Sequence, residues 1–283
     1  MHFTLPLTQS MIVAGHVAGE DYRMDLAMPE GDAPASGWPS VVLLDAGGCF
    51  GTCVEALRRM SRRQDATGVR PAVIIGLSPA QDGLPSVQGR GAVSRRQRDF
   101  TSLPVDGRPV PDNAGGAGVF LDFIEQKVMP LAASRVPLDA GERTLFGHSL
   151  AGYFTLWALA HRPDLFRAYA AISPSIWWDR DGLLAALLQV KASDRRLFMA
   201  VGEWEEALPP WQAGRPGADD VLARRRSRRM IGNVRDFAQA LRPVMGDNHV
   251  LASVMAQEDH ASIISAAIAP MLRLASGMTG FEQ

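Results

Sequence analysis

The stretch Thr144-Leu145-Phe146-Gly147-His148-Ser149-Leu150-Ala151-Gly152-Tyr153 decides the fold. It begins as an apolar strand, turns through Gly-His-Ser-Leu-Ala, and continues as a helix to about His161. A serine wedged between strand and helix needs small neighbours, because the backbone packs too closely at such a turn for larger side chains. The turn lifts the hydroxyl to the C-terminal end of the strand. The helix N-terminus beneath it offers N–H groups and a dipole that favour a developing oxyanion. A pattern this short also arises by chance, and an ordinary N-capping serine is its bland counterpart. Its place between a strand and a helix makes Ser149 a candidate nucleophile.

Outward from this turn, strands and helices alternate. Val41 to Leu44, Ala72 to Leu77, Ala168 to Ile172, Leu197 to Val201 and Val250 to Met255 read as strands, and Ala72 to Leu77 is apolar on both faces. Helical spacing runs from Phe120 to Leu131, from near Asp181, across 218–242 and from Ala261 to Leu274. Such an order predicts an α/β-hydrolase fold, a mainly parallel central sheet with helices on both faces. No repeat or linker divides the chain, so residues 1–283 are expected to form a single domain. Residues 78–113 read as a long irregular loop, rich in Pro, Gly and Arg, that caps the site.

A serine nucleophile needs a base and an orienting acid, which in this fold follow in the order Ser, acid, His. His2 and His16 precede the core. His148 lies within the turn and should point away, His161 ends a helix, and His249 sits at the wrong edge of the sheet. His260 follows the last strand at its C-terminal end and is the candidate base. The acid belongs just past Leu197 to Val201, where Glu203, Glu205 and Glu206 compete. The reach needed to meet an imidazole favours Glu205, with Glu203 as fallback, and leaves the others as solvated charges. The oxyanion is assigned to the amide of Leu150 and to Gly48 or Cys49 in the small-residue turn Asp45-Ala46-Gly47-Gly48-Cys49.

Bulk composition narrows the class. The chain has 283 residues, 47% of them hydrophobic, and a formal net charge of −1. That balance gives no overall field to recruit nucleic acid or an anionic membrane. Two cysteines, Cys49 and Cys53, supply too few ligands for a common zinc site and are expected as reduced thiols. No metal or cofactor is expected. Neither a signal-type N-terminus nor an apolar run of about 18 residues is present, which predicts a cytoplasmic protein, or a periplasmic one if a signal sequence has been removed.

Further motifs complete a resemblance. The chain is similar to a family of esterases that includes the iron-siderophore esterases. The similarity rests on Leu44-Asp45-Ala46-Gly47 leading to Phe50, on Arg98-Asp99-Phe100-Thr101, on Gly147 to Gly152, and above all on Ser173-Pro174-Ser175-Ile176-Trp177-Trp178-Asp179. Gly202-Glu203-Trp204-Glu205 resembles the family's acid motif and supports Glu205. The resemblance implies a serine esterase that acts through an acyl-enzyme on a small-molecule ester, with siderophore trilactones among the substrates. An acyltransferase or thioesterase on the same residues, and a silent ligand-binding relative, are the alternatives. Arg95, Arg96 and Arg98 would then meet an anionic ligand, while Trp177 and Trp178 form a flat wall. The run Arg224 to Arg229, with Asp219, Asp220 and Asp236 nearby, reads as a solvated face.

Overall fold

A computed structural model describes residues 4–80, 90–190 and 194–279. Eight strands form one sheet in the order β1-β2-β4-β3-β5-β6-β7-β8. They are β1 (Thr8–Val13), β2 (Tyr22–Ala27), β3 (Trp38–Leu44), β4 (Val73–Pro79), β5 (Leu138–His148), β6 (Ala168–Ile172), β7 (Arg196–Gly202) and β8 (Val250–Met255). The two N-terminal strands pair antiparallel, and every pairing from β4 to β8 is parallel.

Period-2 alternation explains why the central strands read as apolar throughout. In β4, Val73, Ile75 and Leu77 enter one core and Ile74 the other. Helices α1 (Phe50–Ser61) and α2 (Gln64–Thr67) follow β3, and α1 contributes Cys53, Val54 and Leu57 to the smaller core. Between β4 and β5 lie α3 (Arg90–Phe100), α4 (Ala117–Phe123) and α5 (Met129–Ala133). The remaining helices are α6 (Leu150–His161), α7 (Arg180–Leu187), α8 (Ala218–Arg228), α9 (Met230–Met245) and α10 (Ile263–Ala275). The larger core takes Phe120, Phe154 and Phe237 from α4, α6 and α9, while α10 covers the other face beside α1.

The chain leaves β3 towards β4 on one side, and β5 returns on the other side of β3. That reversal opens a crevice at the C-terminal ends of β3 and β5, the place where open α/β sheets hold ligands. Ser149 follows β5, and the turn Asp45–Cys49 follows β3.

Several elements differ from the sequence expectation. Strands β1 and β2 escape a search for apolar runs because β2 carries Asp25, buried and bonded to Ser10 Oγ at 2.5 Å and Arg23 Nε at 2.9 Å. Residues 90–100 of the expected loop 78–113 are helical; residues 81–89 of it lie outside the described residues. That helix lacks an apolar period of its own and is tied down by ions, including Arg98 to Glu20 at 2.7 Å. The expected helix across 218–242 is two, broken where Arg229 turns left-handed at φ 47°. His16 does not precede the core; it packs 5.5 Å from the ring of Phe123 and 3.2 Å from Asp99. His2 lies outside the described residues.

Candidate active site

Ser149 adopts φ 61° and ψ −117°, a conformation costly for any residue with a side chain. Hydrogen bonds hold it there: its N–H donates to Ile172 O at 3.0 Å, and its carbonyl accepts from the amide of Ser175 at 3.0 Å. Small neighbours are compulsory. A Cβ on Gly147 would stand 2.1 Å from the Ala151 carbonyl oxygen, and one on Gly152 would stand 2.9 Å from that of Ile172. Ala151 is fully buried and fits.

The loop after β8 brings His260 over this serine. Its Nε2 lies 3.1 Å from Ser149 Oγ and its Nδ1 lies 2.7 Å from Glu205 Oε2. A carboxylate only accepts, so Nδ1 carries the proton and Nε2 is left to accept from the hydroxyl. Glu205 is buried on the turn after β7, and its Oε1 accepts from Gly202 N at 2.9 Å and from the Ser173 hydroxyl.

The three competing carboxylates point three ways from their tight turn. Glu203, the fallback acid, accepts the Gln257 amide at 2.8 Å, and Glu206 accepts the Ile231 and Gly232 amides at 2.7 and 2.9 Å. Glu203 is exposed, as the sequence implied, though hydrogen-bonded, and Glu206 is half-buried. Glu203 fastens the His260 loop, and Glu206 satisfies orphan N–H groups at the start of α9.

Two neighbours of the serine were missed. The Ser175 hydroxyl is 3.5 Å from Ser149 Oγ, and Ser173 braces Glu205, so one motif, Ser173-Pro174-Ser175, touches both ends of the array. Its presence in the sequence motif was the available signal. His148 does not point away: its ring centroid is 4.6 Å from that of His260.

At the turn after β3, the Cys49 amide donates to the Ala46 carbonyl at 3.0 Å, and the thiol is buried. That amide is therefore spent within the turn, which corrects its assignment to an oxyanion. The Gly47 amide donates to Ser78 Oγ at 2.9 Å. Gly48 is exposed, with its amide 3.5 Å from the Asp45 carbonyl, too long for a strong bond. Leu150 opens α6 and lines the cavity.

That cavity, of about 340 Å³, holds Ser149, His260 and Glu205. Trp177, Trp178 and Trp204 line it, as does Arg96, whose Nε is 2.7 Å from Asp45. Trp178 also anchors the rim through Nε1 to the Ser102 carbonyl at 2.9 Å. Arg95 and Arg98 face elsewhere. Arg95 lies 3.2 Å from Glu20, and Arg98 lies 2.7 Å from Glu20 and 2.8 Å from Asp99. In their place stand Arg224, Arg225 and Arg228 from α8, with the Arg228 guanidinium 5.0 Å from the Trp177 ring centre. Arg224, Arg225 and Arg228 of the run expected to be a solvated face thus line the cavity, while Arg226 and Arg229 stay on the exposed face. Among the described residues, no group of three or more His, Cys, Asp and Glu is arranged to hold a metal ion.

A family model described as "Putative esterase" matches residues 15–231. The chain belongs to this esterase family. Relatives of the esterase include the ferri-bacillibactin esterase of Bacillus subtilis, 35% identical over 218 residues that cover 72% of this chain and 73% of the relative. The siderophore triacetylfusarinine C esterase of Aspergillus fumigatus is 30% identical over 272 residues, 88% of this chain and 87% of its own. Among solved structures, the siderophore hydrolase EstB from Aspergillus nidulans superposes with a TM-score of 0.82 at 25% identity, covering 97% of this chain and 96% of that one. The esterase shares their α/β-hydrolase fold. No helix among its described residues is long and apolar enough to cross a membrane.

Proposed function

We propose that this esterase cleaves an anionic siderophore ester, with Ser149 as nucleophile, His260 as base and Glu205 as the orienting acid. The observation that carries the reading is the Ser149–His260–Glu205 array in a cavity lined by four arginines and three tryptophans. His260 Nε2 takes the proton of Ser149, whose Oγ attacks the ester carbonyl. The Leu150 amide, with Gly48 reaching in from the turn after β3, holds the oxyanion. Imidazolium formed at His260 is stabilised by Glu205 and returns its proton to the departing alkoxide. Water then attacks the acyl-enzyme by the same steps, releasing acid and free serine. The side chains supply every proton transfer, so this route needs no cofactor.

The substrate charge is argued from the lining. Arg96 is paired with Asp45, but Arg224, Arg225 and Arg228 still outnumber Glu205, the single carboxylate among the described lining residues, which already serves His260. Aromatic walls beside guanidinium groups suit a ligand with flat, negatively charged rings. The relatives named as siderophore esterases support the same substrate class. Residues 1–283 would act as one domain in which α3, within the segment read as a cap, covers part of the mouth, since Arg96 and Gln97 line the cavity. The free, buried thiols of Cys49 and Cys53 fit a reducing compartment such as the cytoplasm.

The test is hydrolysis of p-nitrophenyl butyrate and of ferri-bacillibactin by the protein beside its Ser149→Ala variant. Loss on the order of 10⁴-fold or more with both esters is expected for removal of a nucleophile. Substantial turnover by the variant overturns the assignment of Ser149. Turnover of p-nitrophenyl butyrate without ferri-bacillibactin overturns the substrate alone.

A further inference from the structure

We propose that His148, the residue before Ser149, is a positioning residue that holds His260 in place through ring packing. The inference rests on reading His260 as the base. The ring of His148 lies 4.6 Å from that of His260, the two planes inclined by 48°. Nε2 of His148 is shut off from solvent and has no hydrogen-bond partner among the described residues, so the ring meets its surroundings there by packing alone.

Glu205 holds the His260 ring through Nδ1, and among the described residues the main chain of this loop is bonded on its N-terminal side and within itself. Glu203 takes the Gln257 amide at 2.8 Å, the Trp204 amide donates to the Glu258 carbonyl at 3.0 Å, and Asp259 accepts the Ala261 and Ser262 amides. His148 acts at the base itself, from the strand that carries the nucleophile. One segment therefore sets both the Ser149 hydroxyl and the imidazole that receives its proton, a separation of 3.1 Å.

The same contact demands a fixed charge state. The titratable and charged groups acting on His148 are His260, which is paired with Glu205, and Arg96 on α3, which is paired with Asp45. Burial first, then the neighbouring His260 and Arg96, push its pKa down to about 3. His148 thus stays uncharged while His260 becomes imidazolium, and the forming cation meets an uncharged ring instead of a like charge. With the ring removed, water would enter beside His260 and the imidazole would be free to turn away from Ser149.

The experiment combines histidine NMR titration of the wild-type protein with kcat and KM measurements of His148→Ala and His148→Gln on p-nitrophenyl butyrate, Ser149→Ala serving as the control. The His148 imidazole, assigned by its loss in His148→Gln, should show no titration between about pH 5 and 9. His148→Ala should lose about 10- to 100-fold in kcat/KM, the scale of a misplaced catalytic group. The loss should lie in kcat, with KM changed less than about 3-fold, as for a misaligned base. His148→Gln, which keeps an uncharged side chain of similar reach, should recover most of the rate. A His148 that titrates near pH 6.5, or a His148→Ala variant with wild-type rate, overturns the proposal. So does a His148→Ala loss confined to KM, which would place His148 in substrate binding. If His148→Ala does not fold, the titration and the glutamine variant decide. Activity in Ser149→Ala would instead overturn the reading of the nucleophile and leave the titration result standing.

Discussion

Two arginine clusters, on α3 and on α8, look alike in sequence and have opposite fates. Arg95 and Arg98 of α3 are neutralised by Glu20, whose carboxylate lies 3.2 Å from one and 2.7 Å from the other. Glu20 stands more than 70 positions earlier, so nothing local announces it. Beside α8, Asp236, which seemed to offer neutralisation, is shared with a residue outside the run. Asp236 lies 3.1 Å from Arg180 and 3.4 Å from Arg229, while Arg224 and Arg228 face the cavity. Burial, and then Arg224 beside it, lower the pKa of Arg228, the mark of a cation placed among cations. A basic run becomes a binding surface when the fold carries its counter-charges away, whatever its neighbours in sequence are.

The sharpest break in this comparison falls on the α3 side. Asp99 is 2% exposed and accepts from Arg98 and Tyr22, with His16 Nε2 beside it at 3.2 Å. Asp99→Asn would strand those donors and leave Arg98 under-compensated, at a cost of roughly 3–5 kcal/mol in denaturant unfolding. Burial alone would raise the pKa of Asp99, but the hydrogen bonds from His16, Arg98 and Tyr22 outweigh it, and the value is lowered. A lowered carboxyl stabilises the fold above its unfolded pKa, about 3.9, and that stability is lost as pH falls through the folded value. The gap between the two proteins should therefore be constant at neutral pH and narrow below about pH 4. A gap under about 1 kcal/mol would place the α3 arginines with those of α8.

What the sequence made legible follows the same division. Ser149, His260 and Glu205 could be found because strand order, chain order and the steric demand at Gly147 are local or topological facts. The strands from β3 to β7 were legible where burial on both faces leaves an unbroken apolar signal, but β5 begins at Leu138, before the apolar run that revealed it. Helix α3 was not, since its stability comes from ion pairs to a distant segment and not from an apolar stripe. Strand β2 was hidden by a buried Asp25, and His148 was misjudged because alternation along β5 says nothing of a loop arriving from β8. The Cys49 amide looked available until the turn was closed by its bond to Ala46.

On the α8 side the effect should be smaller and selective. Charge-assisted hydrogen bonds contribute roughly 1.5–3 kcal/mol each, and exposure at the cavity mouth takes the lower end. Arg228→Ala should thus lower kcat/KM for ferri-bacillibactin about 10-fold, with neutral p-nitrophenyl butyrate changed less than about 3-fold. Equal losses on both esters would mean that Arg228 supports the cavity wall through Trp177 and does not read charge.

Arg226 gives the smallest effect and the cleanest control. It sits on the same helix, exposed, and does not line the cavity. Removing it changes the charge of α8 as much as Arg228→Ala does but leaves the cavity lining intact. Stability should stay within roughly 0.5 kcal/mol of wild type, as for most surface substitutions. If the cavity arginines act by contact, Arg226→Ala should leave kcat/KM for ferri-bacillibactin within about 2-fold at 0.15 M salt, where charges are screened beyond about 8 Å. A loss matching that of Arg228→Ala, and vanishing as salt is raised, would show the helix acting through its field. The specificity would then belong to α8 as a whole, and the distinction between its arginines would collapse.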